Sequence, residues 1–274
     1  MPILMYHSVS KEEESGLRGY YQTVTSPPVF SEHLRCLQAN GYQSCSLDEV
    51  VDRLEEKCRD ETKRVVITFD DGYADFYRRA FPLINQYGYS ATVFLPTGYI
   101  GDRPMQFKYR DCLTWSEVRE LQKHGVVFGS HTVSHPQLRE LSAEAVEKEI
   151  VRSKLTIEDK TGCAVKSFAY PFAFPQTDRG FIRQLRESLL KAGYENGVCT
   201  IVGRACRRSD RLFLERLPIN SLDDRRLFAA KLAGAYDWMR VAQYLKKSWG
   251  NRTAKLRGDL EEDLPLSRSA QCKC

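Results

Sequence analysis

The chain has 274 residues, close to the roughly 250 of a single α/β barrel and long for one bundle or sandwich. Hydrophobic residues make up 42% and charged residues 28%, which excludes a disordered polymer and supplies material for a sizeable core. The formal net charge of +5 is spread over interleaved acids and bases, with no basic run alternating with aromatics, so nucleic acid is not an expected partner.

In chain order, short apolar runs alternate with helical segments, the rhythm of βα units around a mainly parallel sheet. Strands are expected near Ile3 to Tyr6, Tyr42 to Cys45, Val65 to Phe69, Ala91 to Leu95, Val126 to Gly129, Ser167 to Tyr170, Gly197 to Ile201 and Phe213 to Ile219. Eight such runs fit a barrel. Ser46 with Glu49 and Thr114 with Glu117 have the spacing of helix capping boxes, and Gly41, Gly88, Gly125 and Gly193 stand where helices should stop. One catalytic domain over 1–223 is expected. Beyond it, a single helix over 224–249 would turn Leu227, Phe228, Leu232, Ala235, Tyr236 and Met239 toward that domain, with 250–274 as a loose polar tail.

Nine cysteines is an odd count, and none forms a C-x-x-C pair, so reduced thiols are expected rather than a disulfide framework or a zinc knuckle. Met1-Pro2-Ile3-Leu4 lacks the basic and long apolar regions of a secretion signal, and no run approaches the roughly 20 apolar residues of a membrane-spanning helix. The expected location is therefore cytoplasmic, with peripheral contact at the inner membrane face left open. The sequence does not indicate an oligomeric state.

Two runs carry candidate chemistry. Val65-Val66-Ile67-Thr68-Phe69-Asp70-Asp71-Gly72 reads as a buried strand ending in two carboxylates, at the end that faces the active site in an α/β barrel. Adjacent carboxylates can divide labour if one binds a cation, since its charge eases ionisation of the neighbour. Taken alone, Asp-Asp-Gly is more often a turn. Gly129-Ser130-His131-Thr132-Val133-Ser134-His135 brings two imidazoles to another strand end, and a spacing of four would set both on one side of a helical turn, suited to a zinc ion. His7, just beyond the first strand, is either a hydrogen-bonded structural residue or a general acid near neutral pH. His33 and His124 fall in predicted helices and are expected at the surface.

Thr68-Phe69-Asp70-Asp71-Gly72 and Ser130-His131-Thr132-Val133-Ser134-His135, in that order, resemble the first two motifs of the polysaccharide deacetylases, carbohydrate esterase family four, with its NodB-homology domain. The resemblance runs from Leu4-Met5-Tyr6-His7-Ser8 to about Ile219. It implies a distorted (β/α) barrel and metal-dependent removal of N-acetyl groups from a glycan, with acetate released. It also implies a divalent metal, usually zinc, on Asp71, His131 and His135, with Asp70 as general base. Where many members have Arg-x-Pro-Tyr, this chain has Ala169-Tyr170-Pro171-Phe172, so the Arg that steadies the base is replaced by Ala169, while the Phe172 N–H can still face an oxyanion and Tyr170 the substrate. The late Leu-x-His is missing too, since that segment reads Arg216-Leu217-Pro218-Ile219-Asn220. The exopolysaccharide poly-N-acetylglucosamine deacetylases carry this histidine in an N-terminal Tyr-His, which Tyr6-His7 matches. Trp115 is either core or an aromatic wall for a sugar ring. Two other readings stand beside the deacetylase: a different amidohydrolase on the same fold, and a glycan-binding protein with a dead site.

Overall fold

The computed structural model of the protein describes residues 1–12, 14, 19, 22–55 and 62–248. Its strands are β1 (Ile3–Tyr6), β2 (Ser8–Val9), β3 (Val24–Thr25), β4 (Gln43–Ser44), β5 (Arg64–Phe69), β6 (Thr92–Leu95), β7 (Gln106–Phe107), β8 (Arg110–Asp111), β9 (Val127–Ser130), β10 (Ser167–Ala169), β11 (Asn196–Val202) and β12 (Leu214–Pro218). Its helices are α1 (Pro27–Ala39), α2 (Leu47–Glu55), α3 (Phe81–Gln86), α4 (Trp115–Lys123), α5 (Ala143–Thr161), α6 (Arg179–Lys191) and α7 (Arg225–Ala233).

Seven strands close into a parallel barrel in the order β1-β12-β11-β10-β9-β6-β5, and β1 pairs with both ends of the row through Leu4↔Leu217 and Leu4↔Ile67. The distorted (β/α) barrel expected from the sequence is therefore present. All eight expected strands form, but the one over Tyr42 to Cys45 shrinks to β4, which only flanks the start of β5. β5 is buried along Val65–Phe69, which explains its unbroken β-branched and aromatic run: a parallel strand is covered on both faces. Both capping boxes form: Ser46 exchanges bonds of 2.7 and 3.1 Å with Glu49, and Thr114 and Glu117 do the same at the head of α4. Gly41, Gly88, Gly125 and Gly193 all have positive φ.

Two expectations are overturned. The single helix over 224–249 is two helices. Asp224 caps α7, which ends where Gly234 takes φ 96°, and a second helix occupies 239–248. The guanidinium of Arg204 fills the space that a Cβ at 234 would need, so only glycine admits the turn. The tail 250–274 lies outside the described residues. His33 is not at the surface: it is fully buried, stacked on Phe228 at 4.2 Å, within 3.1 Å of the Tyr6 hydroxyl and 2.6 Å of the Asp223 carbonyl. That polar pocket behind β1 is what a helix pattern alone does not reveal. His124, by contrast, is exposed.

Among the described residues, no helix is long and apolar enough to cross a membrane. Six cysteines, Cys36, Cys45, Cys112, Cys163, Cys199 and Cys206, are free thiols.

Candidate active site at the C-terminal mouth of the barrel

The C-terminal ends of β1, β5, β9 and β10 deliver His7, Asp70 with Asp71, His131 and Tyr170 to one cavity of about 890 Å3. His135, Phe172, Lys108 and the 239–248 helix complete its wall. The two aspartates, adjacent in sequence and both buried, have different partners. Asp70 receives a two-pronged ion pair from Arg216 of β12, with both N–O distances 2.7 Å. Arg216 is itself fully buried and is anchored by the Cys199 carbonyl and the Thr68 hydroxyl, both at 3.1 Å. Burial alone would raise the Asp70 carboxyl, but Arg216 and His131 reverse this and hold it below the usual carboxylate range.

Asp71 turns its chain at φ 69°, which swings its side chain toward the histidines. Its Oδ2 accepts from the Tyr73 hydroxyl at 3.0 Å and from Lys108 Nζ at 3.3 Å. Its Oδ1 is buried without a hydrogen-bond partner, although Nε2 of His135 stands 3.3 Å away and Nε2 of His131 stands 3.7 Å away. Asp71, His131 and His135 each present a ligand atom within 4.8 Å of the others.

The histidine segment is not the helical turn expected from its spacing. Residues 131–135 form a loop in which Thr132 and His135 both have positive φ, and this brings the two rings to 4.8 Å between centroids. α5 fixes that loop from behind: Glu149 accepts from the Val133 and Ser134 N–H groups at 2.7 and 2.9 Å, and Ser153 meets Ser130 at 2.7 Å. His131 Nδ1 lies 2.8 Å from the Ala169 carbonyl, so the ring donates there and leaves Nε2 with its lone pair facing Asp71. Burial pushes His131 down to about 4, which keeps the imidazole neutral and able to ligate at physiological pH. His135 Nδ1 is another buried atom without a partner. Buried polar groups of this kind are rare unless something satisfies them, and one carboxylate with two neutral imidazoles is the donor set that zinc takes. The residues present fit a divalent cation.

His7 lines the same cavity. Burial lowers its pKa, and Asp71 and Asp70 only partly oppose that, so the ring rests neutral rather than charged at neutral pH. Phe172 has φ 58°, packs its ring 4.6 Å from His135 and is held through its carbonyl by the Thr200 hydroxyl at 2.9 Å. Tyr170 is buried against Phe174 and also reaches the cavity. Trp115 does not reach it. Its side chain is 3% exposed at the head of α4 within the core, which settles the two readings left open for it in favour of packing. Asp71, Lys108, His135 and Phe172 are four of the six non-glycine residues with positive φ among those described, a concentration of backbone strain at one cavity.

Two site residues went unnoticed in the sequence. Arg216 replaces, from another strand, the arginine missing at Ala169. Its signal was a cation inside the apolar run Phe213 to Ile219, since an Arg is almost never fully buried unless paired. Lys108 sits at the tip of the β7–β8 hairpin, and nothing in a short polar turn pointed to it.

Fold and site together define the class: a parallel-barrel hydrolase with an Asp-His-His cluster at its mouth. The chain belongs to the polysaccharide deacetylase family, whose sequence profile matches residues 57–196. It is 31% identical over 224 residues to YxkH of Bacillus subtilis (strain 168), a protein named for polysaccharide deacetylation, covering 80% of this chain and 71% of that one. It is 33% identical over 139 residues to the poly-beta-1,6-N-acetyl-D-glucosamine N-deacetylase of Escherichia coli (strain K12), 47% of this chain but only 20% of that longer protein. Among solved structures, the Streptococcus pyogenes deacetylase PplD in complex with acetate superposes with a TM-score of 0.74 at 26% identity, covering 85% of this chain and 97% of that one.

Proposed function

We propose that the protein hydrolyses N-acetyl groups from an N-acetylated glycan with a divalent cation, zinc first among the choices, on Asp71, His131 and His135. The observation that carries the reading is the pairing of that partly unsatisfied cluster with an adjacent carboxylate locked by Arg216. When bound, such an ion supplies Lewis acidity toward the acetyl carbonyl and toward water.

The rest falls to the protein's own side chains. Asp70, kept ionised by Arg216, takes the proton of the attacking water. The guanidinium fork fixes the carboxylate plane, so the base cannot rotate away. The Phe172 N–H serves the tetrahedral oxyanion, and its strained turn, tied to Thr200, holds that N–H still. His7 protonates the departing sugar nitrogen. Because burial keeps it neutral at rest, its proton arrives within the reaction cycle rather than from bulk solvent. Tyr170 and Phe172 flank the sugar. The rival reading, a different amidohydrolase, leaned on the missing motif arginine, and Arg216 removes that support.

The test is acetate release from N-acetylglucosamine oligomers by the purified protein, before and after chelation and zinc return. Zinc-restored acetate release is the expected result. Oligomer binding without any acetate would favour a glycan-binding protein with a dead site and end the proposal.

A further inference from the structure

The helix over 239–248 has a role that the catalytic floor does not account for. Four polar contacts fasten it and the turn before it to the barrel rim. Arg204 grips Asp237 at 2.8 Å, Arg240 meets buried Glu215 at 2.9 Å, Gln243 Oε1 accepts from the Val202 N–H at 2.9 Å, and Lys247 donates to the Phe174 carbonyl at 2.6 Å. Met239, Ala242, Gln243 and Lys246 recur at the three-and-four spacing of one helix face, and that face lines the catalytic cavity. At its head stands Trp238, which lines the same cavity and yet is 66% exposed. An indole held so firmly at a cavity mouth, with so little of it used for packing, is the unexplained feature, since large exposed apolar surface is what calls for a ligand.

We infer that Trp238 and this helix face form a second sugar subsite, so that the substrate is an oligosaccharide of at least two residues rather than a single sugar. The inference rests on the deacetylase reading above. A sugar ring presents an apolar C–H face to an aromatic platform and hydroxyls to polar neighbours, and Trp238 beside Lys246 offers both. The cavity itself, about 890 Å3, lies near the top of the roughly 300–1,000 Å3 range of ligand pockets, more than one acetylated sugar at the metal-type cluster would fill. Phe172 is the platform beside the cluster and Trp238 the platform on the opposite wall. Contacts made there, remote from the scissile bond, can be used to seat the acetamide for reaction.

The experiment measures kcat and KM for acetate release from β-1,6-linked N-acetylglucosamine monomer, dimer and tetramer by wild type, Trp238→Ala and Trp238→Phe. Oligomer binding is followed in parallel by titration calorimetry. The expected wild-type result is a kcat/KM that rises with length. Trp238→Ala should lower the tetramer-to-monomer ratio by roughly 3- to 10-fold, the size of one aromatic contact, and Trp238→Phe should restore much of it. A flat length profile, or a length gain that survives Trp238→Ala, would overturn the subsite. If no substrate yields acetate, the deacetylase reading fails instead. The subsite is then decided by calorimetry: tetramer binding weakened by Trp238→Ala keeps it, and binding that is absent or unchanged removes it.

Discussion

Asp70 and Asp71 are neighbours in the chain and have similar burial, but they face two different corners of the cavity floor. Around Asp70 both oxygens are bound by one guanidinium, and that guanidinium is in turn bound by a strand carbonyl and a threonine hydroxyl. Around Asp71 one oxygen is satisfied while the other faces two imidazoles with no hydrogen bond, and His135 adds another unsatisfied atom. The first corner is complete as a protein structure. The second needs something more. A saturated carboxylate suits a base that must stay ionised and oriented, whereas unsatisfied donors suit a cation.

The largest effect should come from emptying the second corner. His131→Ala with His135→Ala is expected to abolish both metal binding and acetate release, and metal analysis showing one bound ion as in wild type would dissolve the contrast. Asp70→Asn should separate the corners: metal content stays at the wild-type level while kcat falls by roughly 10²- to 10⁴-fold, the usual worth of a general base. Breaking the first corner from the other side, Arg216→Met leaves a buried carboxylate uncompensated and should cost about 3–5 kcal/mol in denaturant unfolding. The pH dependence follows from Asp70. Its folded pKa is depressed below the unfolded value of about 3.9, so the pair's stability is fully present above that pH and is lost as pH falls through the lower folded value. The difference between wild type and Arg216→Met should therefore shrink toward strong acid, and a difference independent of pH would contradict the ion-pair account. The smallest expected change belongs to His7→Ala: about 10²-fold lower kcat with metal retained, read by steady-state kinetics beside metal analysis.

Much of this was legible in the sequence, for identifiable reasons. The β5 run announces itself because a doubly covered parallel strand must be apolar throughout, and the helix ends do because capping boxes and left-handed glycines are local chemistry. The ligand cluster was legible as a pair of motifs, but not in its geometry: His131 and His135 meet through two positive-φ residues in a loop, which spacing alone presented as a helical turn. What stayed hidden was non-local. Arg216 reaches Asp70 across 146 positions of sequence, Lys108 reaches Asp71 from a hairpin tip, and His33 finds its partners on β1 and beyond β12. Trp115 shows the opposite error, an aromatic whose type suggested a sugar and whose position made it core.

The most direct test is a crystal of the zinc-loaded protein with anomalous data at the zinc edge. The account predicts one ion per chain, bonded to Asp71, His131 and His135 at about 2.0–2.2 Å, with Asp70 still clasped by Arg216 and outside the coordination sphere. Zinc bound elsewhere, or these three side chains still unbonded beside an ion-free centre at saturating zinc, would contradict it.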